Sequence, residues 1–351
     1  MFRTIIKRAA VPAVLAAAAG GADAVELYGA VDNFVSYAKV GSQSAYSLQS
    51  GGTSTSRFGM KGSEDLGAGW RANFQLESGF ESSDGTGAKN GILFNRESWV
   101  GLSHAKYGAL QLGRVYPAYL PLSADPFYGV GKLSPFASFF LLVNDLGDGA
   151  RVLPGRQPNS VAYTTPSFGG ATLKLLAAPS GDNNGPRWDA LGAVGEYKQG
   201  GTHAALSYNS LWCSPSPTPK NCKFTVRTDV ISASLAQEFG AITLLGAYNF
   251  TRPNADDTYI AQAASFGFIA KVGKDFVRGS VAYRTVSGKQ DQALGALIGY
   301  DYTLSKQTNL YARAGAIRNQ GASKIYYLAA PVQDAGVSMP VIAALGVRHK
   351  F

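Results

Sequence analysis

The sequence predicts a closed antiparallel β-barrel that spans a membrane, with about sixteen strands. Three observations lead there. Segments of roughly ten residues alternate apolar and polar side chains, as strands do when only one face is apolar. Charged residues make up 16% of the chain, below the ~25% usual for soluble domains, and 42 Gly, 18 Tyr and 18 Phe stand among 351 residues. After the first two dozen residues no run of about 18 apolar residues occurs, so no helix crosses a bilayer. A closed barrel crosses without such a run, because it pairs every backbone group internally. The mean hydropathy of −0.03 agrees with strands that are apolar on one face only.

Residues 1–24 read as a secretory signal peptide. Arg3, Lys7 and Arg8 are basic, residues 9–19 are apolar, and Ala22-Asp23-Ala24 is a small-residue cleavage site. Residues 25–351 then form a single barrel domain with no linker. Export implies an oxidising compartment.

Period two is visible along the chain. Trp70, Ala72, Phe74, Leu76 and Phe80 share one face, and Arg71, Asn73, Gln75 and Glu77 the other. Val277, Gly279, Val281 and Tyr283 oppose Arg278, Ser280, Ala282 and Arg284. Leu294, Ala296, Ile298, Tyr300 and Tyr302 share a face, as do Leu310, Ala312, Ala314 and Ala316, opposite Tyr311 and Arg313. Val341, Ala343, Leu345, Val347, His349 and Phe351 alternate with Arg348 and Lys350. Between Arg96 and Leu102 the parity is ambiguous. Tight turns are expected at 64–69, 198–201 and 238–240, and longer outer loops at 39–53, 81–91, 180–188, 210–224, 251–260 and 319–337. About 327 residues at ~20 per strand plus connection give roughly sixteen strands, an even number as a bacterial single-chain barrel requires. Trp70, Phe80, Trp99, Tyr107, Tyr163, Phe250, Phe276, Tyr300, Tyr302 and Phe351 fall near strand ends, where interfacial aromatic girdles are expected.

One stretch, 115–157, shows neither strand nor helix period. It holds Pro117, Pro121, Pro126, Pro135 and Pro154, an apolar run from Ser134 to Val143, and acids at Asp125, Asp145 and Asp148. Long irregular segments in compact domains are usually functional. The expectation is that this one folds into the barrel's mouth and narrows it.

The residues resemble the trimeric general-diffusion porins of Gram-negative bacteria, most closely the β-proteobacterial branch. The resemblance runs along nearly all of the chain after the leader. It is carried by Leu27-Tyr28-Gly29 with Asp32, by Ser56-Arg57-Phe58-Gly59 running on to Gly67, and by Phe74-Gln75-Leu76-Glu77. Phe94-Asn95-Arg96 before Val100-Gly101-Leu102, then Leu112-Gly113-Arg114, continue it. Arg156 with Asn159-Ser160-Val161, Tyr163, Pro166 and Phe168-Gly169-Gly170 is the most specific match, followed by Tyr300-Asp301-Tyr302 and the terminal Gly346 to Phe351. The resemblance implies a sixteen-stranded barrel, three to an assembly, with its third outer loop (115–157) tucked into the lumen. It implies passive diffusion of ions and small hydrophilic solutes across the outer membrane, in contact with its lipid and lipopolysaccharide. Phe351 would be the aromatic end read by the barrel-assembly machinery. The proline-rich, apolar middle of the loop departs from the family.

Charge is the chemistry of a pore, since rings of fixed charge at a constriction set ion preference. The chain carries 32 basic and 23 acidic residues, net +9, and about +7 once Arg3, Lys7, Arg8 and Asp23 leave with the leader. The resemblance places Arg57, Arg96 and Arg156 at the constriction as an anion ladder, with Arg114 behind them. Guanidinium stays charged at any relevant pH. Lys61, Arg71, Lys174 and Arg278 are weaker candidates for the approach. Glu77 and Asp125 would oppose the arginines or pair with them and brace the loop. Asp148, in Asp-Leu-Gly-Asp-Gly, reads as a turn residue.

Cys213 and Cys222, in an exported chain, read as a disulfide closing an outer loop, with free thiols as the alternative. No metal or cofactor is expected: the cysteines lack further ligands nearby. Three His (His104, His203, His349), with no nucleophile elbow, zinc pair or dinucleotide fingerprint, argue against an enzyme. Scattered basic residues argue against nucleic acid. A secreted β-sandwich or adhesin would share the alternation but not an inner face carrying arginine. A channel with a site for a particular organic anion, lined by Phe127, Tyr128, Phe136, Phe139 and Phe140, stays open beside the general pore.

Overall fold

A computed structural model describes residues 25–351 except 90, 121–123, 129–130, 153, 182–186, 213–225 and 332–338. The predicted signal peptide and both cysteines lie outside the described residues. The chain forms β1 (Glu26–Val40), β2 (Gln43–Ser50), β3 (Arg57–Gly67), β4 (Trp70–Glu81), the two-residue β5 (Thr86–Gly87), β6 (Glu97–His104) and β7 (Gly108–Val115). A short helix, α1 (Pro135–Phe140), precedes β8 (Gln157–Thr164), β9 (Ala171–Pro179), β10 (Trp188–Gln199) and β11 (Thr202–Trp212). Then come β12 (Arg227–Phe239), β13 (Ile242–Asn254), β14 (Ala261–Val272), β15 (Asp275–Val286), β16 (Asp291–Thr303), β17 (Thr308–Gln320) and β18 (Val341–Lys350).

These eighteen segments make one closed wall of sixteen antiparallel strands. Two reductions reconcile the numbers. β5 pairs only with the end of β4, at Phe80 and Glu81, and is a flap. β2 and β3 together occupy one place in the wall, because β2 pairs with Asn33–Val40 of β1 and β3 with Glu26–Ala30. The wall closes where β1 meets β18, in register from Ala30↔Lys350 to Lys39↔Val341. Closure leaves the wall without a free end strand, the condition for a sheet in lipid; among the described residues β2 pairs on one edge only, with β1.

The face alternation is as expected. On β16, Leu294, Ile298, Tyr300 and Tyr302 are exposed, while Ala293, Leu297 and Asp301 are buried. Cross-strand partners share a face, so apolar pairs such as Tyr302↔Leu310 continue the outer surface from strand to strand. At the short-turn end, Trp70 stacks on Tyr107 at 5.8 Å with His104 between them, and the Tyr163 hydroxyl donates to the Tyr107 carbonyl at 2.8 Å. That is the interfacial girdle.

Several expectations need correction. Residues 39–53 are not a loop: β1 runs to Val40, turns at Gly41-Ser42 and returns as β2. β13 continues to Asn254, so only 255–260 connects it to β14. The ambiguous parity near Arg96 resolves, with Val100 and Leu102 exposed and Trp99 turned inward, its indole N–H donating to Glu97 at 2.8 Å. Trp99 and Phe276 therefore leave the girdle; Phe276 lies under the Arg278 guanidinium, 5.4 Å from its ring centre. The predicted tight turns are where expected, at 68–69, 200–201 and 240–241.

Among the described residues between β7 and β8, α1 is the one α-helix and no strand occurs. Pro135 presets the helical φ at the first turn. Ser134 caps nothing, because its hydroxyl donates to Asp125. Phe136 and Phe140 stack at 4.0 Å, and Phe139 packs on β16 so closely that a Cβ at Gly295 would sit 2.8 Å from its ring. The buried apolar cluster gathers Phe127, Leu133, Phe136, Phe139 and Phe140 with Phe34, Tyr311 and Ile317 of the wall and Ile325 and Tyr327 of the last connection.

One carboxylate fixes how that stretch meets the wall. Asp32, fully buried, accepts on Oδ2 from the Thr53 and Ser54 amides (2.9 and 2.8 Å) and the Thr53 hydroxyl, and on Oδ1 from the Tyr311 hydroxyl (2.6 Å). The connection held this way, 51–56, offers its carbonyls onward: Gly51 to the Lys132 amide at 3.0 Å and Gly52 to the Leu133 amide at 3.3 Å. The Lys132 carbonyl in turn accepts from the Ala329 amide at 3.0 Å. Hydrogen bonds to a buried charge are worth ~1.5–3 kcal/mol each before relaxation. Asp32→Ala is thus expected to lower stability by on the order of 3 kcal/mol, and Tyr311→Phe by about 1 kcal/mol. Unfolding midpoints in detergent check this; an unchanged Asp32→Ala midpoint would show that the latch is dispensable.

Candidate functional site

The enclosed face of β3 and β4 gathers charge around Glu77. β4 sets Glu77 opposite Gly59 of β3 and Glu97 of β6, and β3 sets Arg57 opposite Gly79. The Arg57 Nε lies 3.4 Å from Glu77 Oε2, and the Arg96 Nε is paired with Oε1. The Tyr28 hydroxyl donates to Oε2 at 3.0 Å and accepts from Gln75 at 2.7 Å. Glu77 is therefore saturated, and one carboxylate answers two guanidiniums.

Arg156, in the connection just before β8, adds a third. Its guanidinium lies 3.4 Å from the Tyr116 ring centre and donates to the Tyr116 hydroxyl and the Gly155 carbonyl. Its Nε is buried with no hydrogen-bond partner among the described residues. Burial pulls its pKa down to about 10, with Tyr116, Glu97 and Glu77 opposing and Arg96 reinforcing the shift. It stays charged at neutral pH. Lys174 of β9 reaches the Tyr116 carbonyl at 2.8 Å, so Tyr116 is held between two cations. Arg57, Arg96, Arg156 and Lys174 face two acids, Glu77 and Glu97, on neighbouring elements. A low-dielectric wall focuses the field of such an excess.

The other expected residues are placed differently. Arg114 does not join the Glu77 cluster. It sits opposite Ser98, on the parity of exposed Leu112, and its Nε donates to the Asn95 carbonyl at 2.7 Å. Asp125 is buried within its own segment, accepting from the Phe127 amide at 3.2 Å and the Ser134 hydroxyl. Lys61 pairs with Glu26 at 3.1 Å and Arg71 lies 4.0 Å from Asp65, both at exposed positions. Asp148 is exposed in a turn.

Arg278, expected only on the approach, and Asp301, Arg284 and Arg313, not proposed for the site, carry the tightest ion pairs. Asp301 of β16 receives Arg278 Nε of β15 at 2.5 Å and Arg313 Nη2 of β17. Arg284 of β15 grips Asp145 with both terminal nitrogens, at 2.6 and 2.8 Å, and donates to the Leu142 carbonyl at 3.0 Å. Arg278 also donates to the Pro126 carbonyl at 2.7 Å, Asn209 to the Ala118 carbonyl at 2.7 Å, and the Arg151 amide to the Thr228 hydroxyl at 2.9 Å. Residues 116–156 are thus bonded to β11, β12, β15 and the connection before β3. Arginines at the parity opposite Val277, Tyr283 and Ala314 were the available signal.

Arg284 is 2% exposed, and a buried charge stripped of its partner costs ~3–5 kcal/mol. Asp145→Ala is expected to loosen the segment: limited proteolysis should cut it between 140 and 150 at least several-fold faster than in the unaltered protein, with the wall intact. Equal cleavage rates would show the bidentate pair to be unnecessary.

Comparison with known proteins agrees with this geometry. A family model described as Gram-negative porin matches residues 9–322. Outer membrane porin protein 32 of Delftia acidovorans is 30% identical over 364 residues, covering 99% of this chain and 100% of its own. An outer membrane porin protein of Bordetella pertussis is 28% identical, covering 97% of this chain and 98% of its own. Among solved structures, the anion-selective porin from Comamonas acidovorans superposes with a TM-score of 0.82 at 28% identity, covering 94% of this chain and 100% of that one. The trimer form of OmpT of Vibrio cholerae, at 13% identity and a TM-score of 0.66, shares the fold. With its sixteen-stranded wall, its inward charge and these matches along its length, the chain belongs to the Gram-negative porins of the outer membrane, which are channels and not enzymes.

Proposed function

We propose that this porin conducts anions in preference to cations, and that Arg57, Arg96 and Arg156 form the ladder that selects them. The observation carrying the reading is the excess of cations over carboxylates around Glu77, where Glu77 pairs with both Arg57 and Arg96 and Arg156 has no acid in contact among the described residues. The anion selectivity of the Comamonas acidovorans porin supports it. Residues 116–156 lie inside the barrel and narrow the path past this cluster; their bonds to Asn209, Thr228, Arg278 and Arg284, all on the lumen side of the wall by parity, support that placement. Arg114 serves as a brace at the Asn95 carbonyl, and Asp125 as an internal anchor of the loop.

The remaining parts follow the same reading. Residues 1–24 are a cleaved leader and 25–351 the working channel. Three copies assemble in the lipid and lipopolysaccharide of the outer membrane, and exposed Phe351 is the end offered to the assembly machinery. Diffusion is passive, and small hydrophilic solutes are the cargo.

The test is the zero-current potential in a planar bilayer under a KCl gradient. A charge ~6 Å from an ion in water shifts its energy by about 0.7 kcal/mol, or about threefold in occupancy. Arg57→Gln, Arg96→Gln and Arg156→Gln are each expected to reduce anion preference by a step of that order, additively to a first approximation. Glu77→Gln should move the potential the opposite way by a similar step. Cation preference in the unaltered protein would overturn the reading.

A further inference from the structure

The outward face of the wall also carries charge, on β12 and β13. β12 begins after the connection 213–226, and β13 ends at the connection 255–260; the turn at 240–241 joins them at the other end. Short turns mark the periplasmic end of such barrels, so the start of β12 and the end of β13 lie toward the outer leaflet. On β12, Arg227 and Asp229 share the parity of exposed Ile231 and Leu235. On β13, Arg252 shares the parity of exposed Leu244 and Tyr248. The register sets Asp229 between Arg252 on one side and Ser210 of β11 on the other. Two guanidiniums therefore stand on the lipid side of neighbouring strands.

One carboxylate faces them, and its oxygens are taken. Asp229 Oδ1 accepts from the Tyr208 hydroxyl at 2.9 Å and the Ser210 hydroxyl at 2.6 Å. Its Oδ2 accepts from Arg227 Nε at 3.1 Å and Nη2 at 2.9 Å. Arg227 is thus held by one edge of its guanidinium, and the other edge, Nη1 with Nη2, is unclaimed among the described residues. Arg252 is exposed and makes no hydrogen bond or ion pair among the described residues. Two positive charges here answer one negative charge. An arginine on the lipid face is tolerated near the interface, where anionic groups can reach it, and not at the midplane.

Beneath the charges the surface has a notch. Gly246 lies across from Leu235 on one side and Phe266 on the other, and both of these are exposed. A Cβ at Gly246 would meet only the Ser265 carbonyl oxygen within 4 Å, at 3.8 Å. Gly246 is six residues below Arg252 on the same strand, roughly 20 Å along it. With strands tilted ~40°, that is roughly 15 Å of depth, half of the ~30 Å hydrocarbon core. The distance from the guanidiniums to the notch is one leaflet.

We propose that Arg227 and Arg252 bind the phosphate of an outer-leaflet lipid whose acyl chain runs down to the notch at Gly246. Phosphate offers two oxygens to the unclaimed edge of Arg227, which is the bidentate geometry guanidinium favours. The Gln262 side chain, which accepts from the Tyr248 hydroxyl at 2.7 Å, has amide N–H groups left for the same headgroup. The charge selects an anion, and the apolar surface below selects one that is carried on a chain. The inference rests on the placement of the wall in the outer membrane and is independent of the arginine ladder.

The test is native mass spectrometry of the full protein in non-ionic detergent, titrated with phosphatidic acid and, for comparison, with phosphatidylcholine. Phosphatidic acid is expected to bind at least tenfold more tightly. Arg252→Gln should weaken it several-fold, and Arg252→Gln with Arg227→Gln at least tenfold. Gly246→Leu, which fills the notch and keeps both guanidiniums, should weaken it several-fold. Lys274→Gln, at an exposed cation of the opposite end, should change it less than twofold. If Arg227→Gln fails to fold, Arg252→Gln, which breaks no contact, carries the test. Equal affinity for the two lipids, or an Arg252→Gln effect no larger than that of Lys274→Gln, overturns the proposal. So does displacement of phosphatidic acid by inorganic phosphate at equal concentration, which would make the ligand a free ion. Dissociation of the assembly by Arg252→Gln without added lipid overturns it as well, by making this face a contact between copies. The zero-current potential of both arginine variants should match that of the unaltered protein, and a ladder that fails in the bilayer leaves the lipid affinities as they are.

Discussion

Backbone satisfaction in lipid is the constraint on which everything else here depends. An unpaired N–H or C=O in hydrocarbon costs several kcal/mol, so the wall must close on itself. Closure at β1 and β18 then dictates the rest. With the wall closed, side chains have two destinations only, lipid or lumen. Leu294, Ile298 and Leu345 go one way, and Arg278, Arg284, Arg313 and Arg348 go the other. The charge that gives the pore its field collects inside because the outside refuses it, at ~2–4 kcal/mol for an arginine at the midplane.

The same separation shapes the segment between β7 and β8. An apolar helix such as Pro135–Phe140 would be lost to lipid or to aggregation if it projected freely. Instead its phenylalanines are buried with Tyr311 and Ile317, and the polar backbone of its segment is bonded by Arg278, Arg284 and Asn209. Position comes from charge and grip from apolar area. Asp301 and Asp145 each serve as a fixed point for several donors, which keeps long arginine side chains from wandering and preserves the field they make.

How much of this the sequence revealed follows from the range of each interaction. Alternation is local, so the outer faces of β4, β15, β16 and β17 were readable; the number of strands came from the length of the chain. β2 was missed because Gln43 to Ser50 is rich in serine and glutamine and has only Tyr46 and Leu48 as outward markers. Trp99 and Phe276 misled because an aromatic near a strand end says nothing about which face it takes. Arg57, Arg96 and Arg156 came from resemblance, and the fold brings them to one region. Arg114 differs because it shares the outward parity of Leu110 and Leu112 on β7. The pairs Arg284–Asp145 and Arg278–Asp301 join residues 139 and 23 positions apart, and no local pattern announces a partner at that distance.

The seam between β1 and β18 also sets the order of events when the chain is made. Ala30 meets Lys350 and Lys39 meets Val341, so β1 finds one of its partners far along the chain, in β18. Until the two meet, β1 presents a bare row of amides and carbonyls, an invitation to the wrong chain. Contacts this far apart along the sequence are slow to form. The wall therefore closes only when β18 reaches β1, across almost the whole length of the described chain.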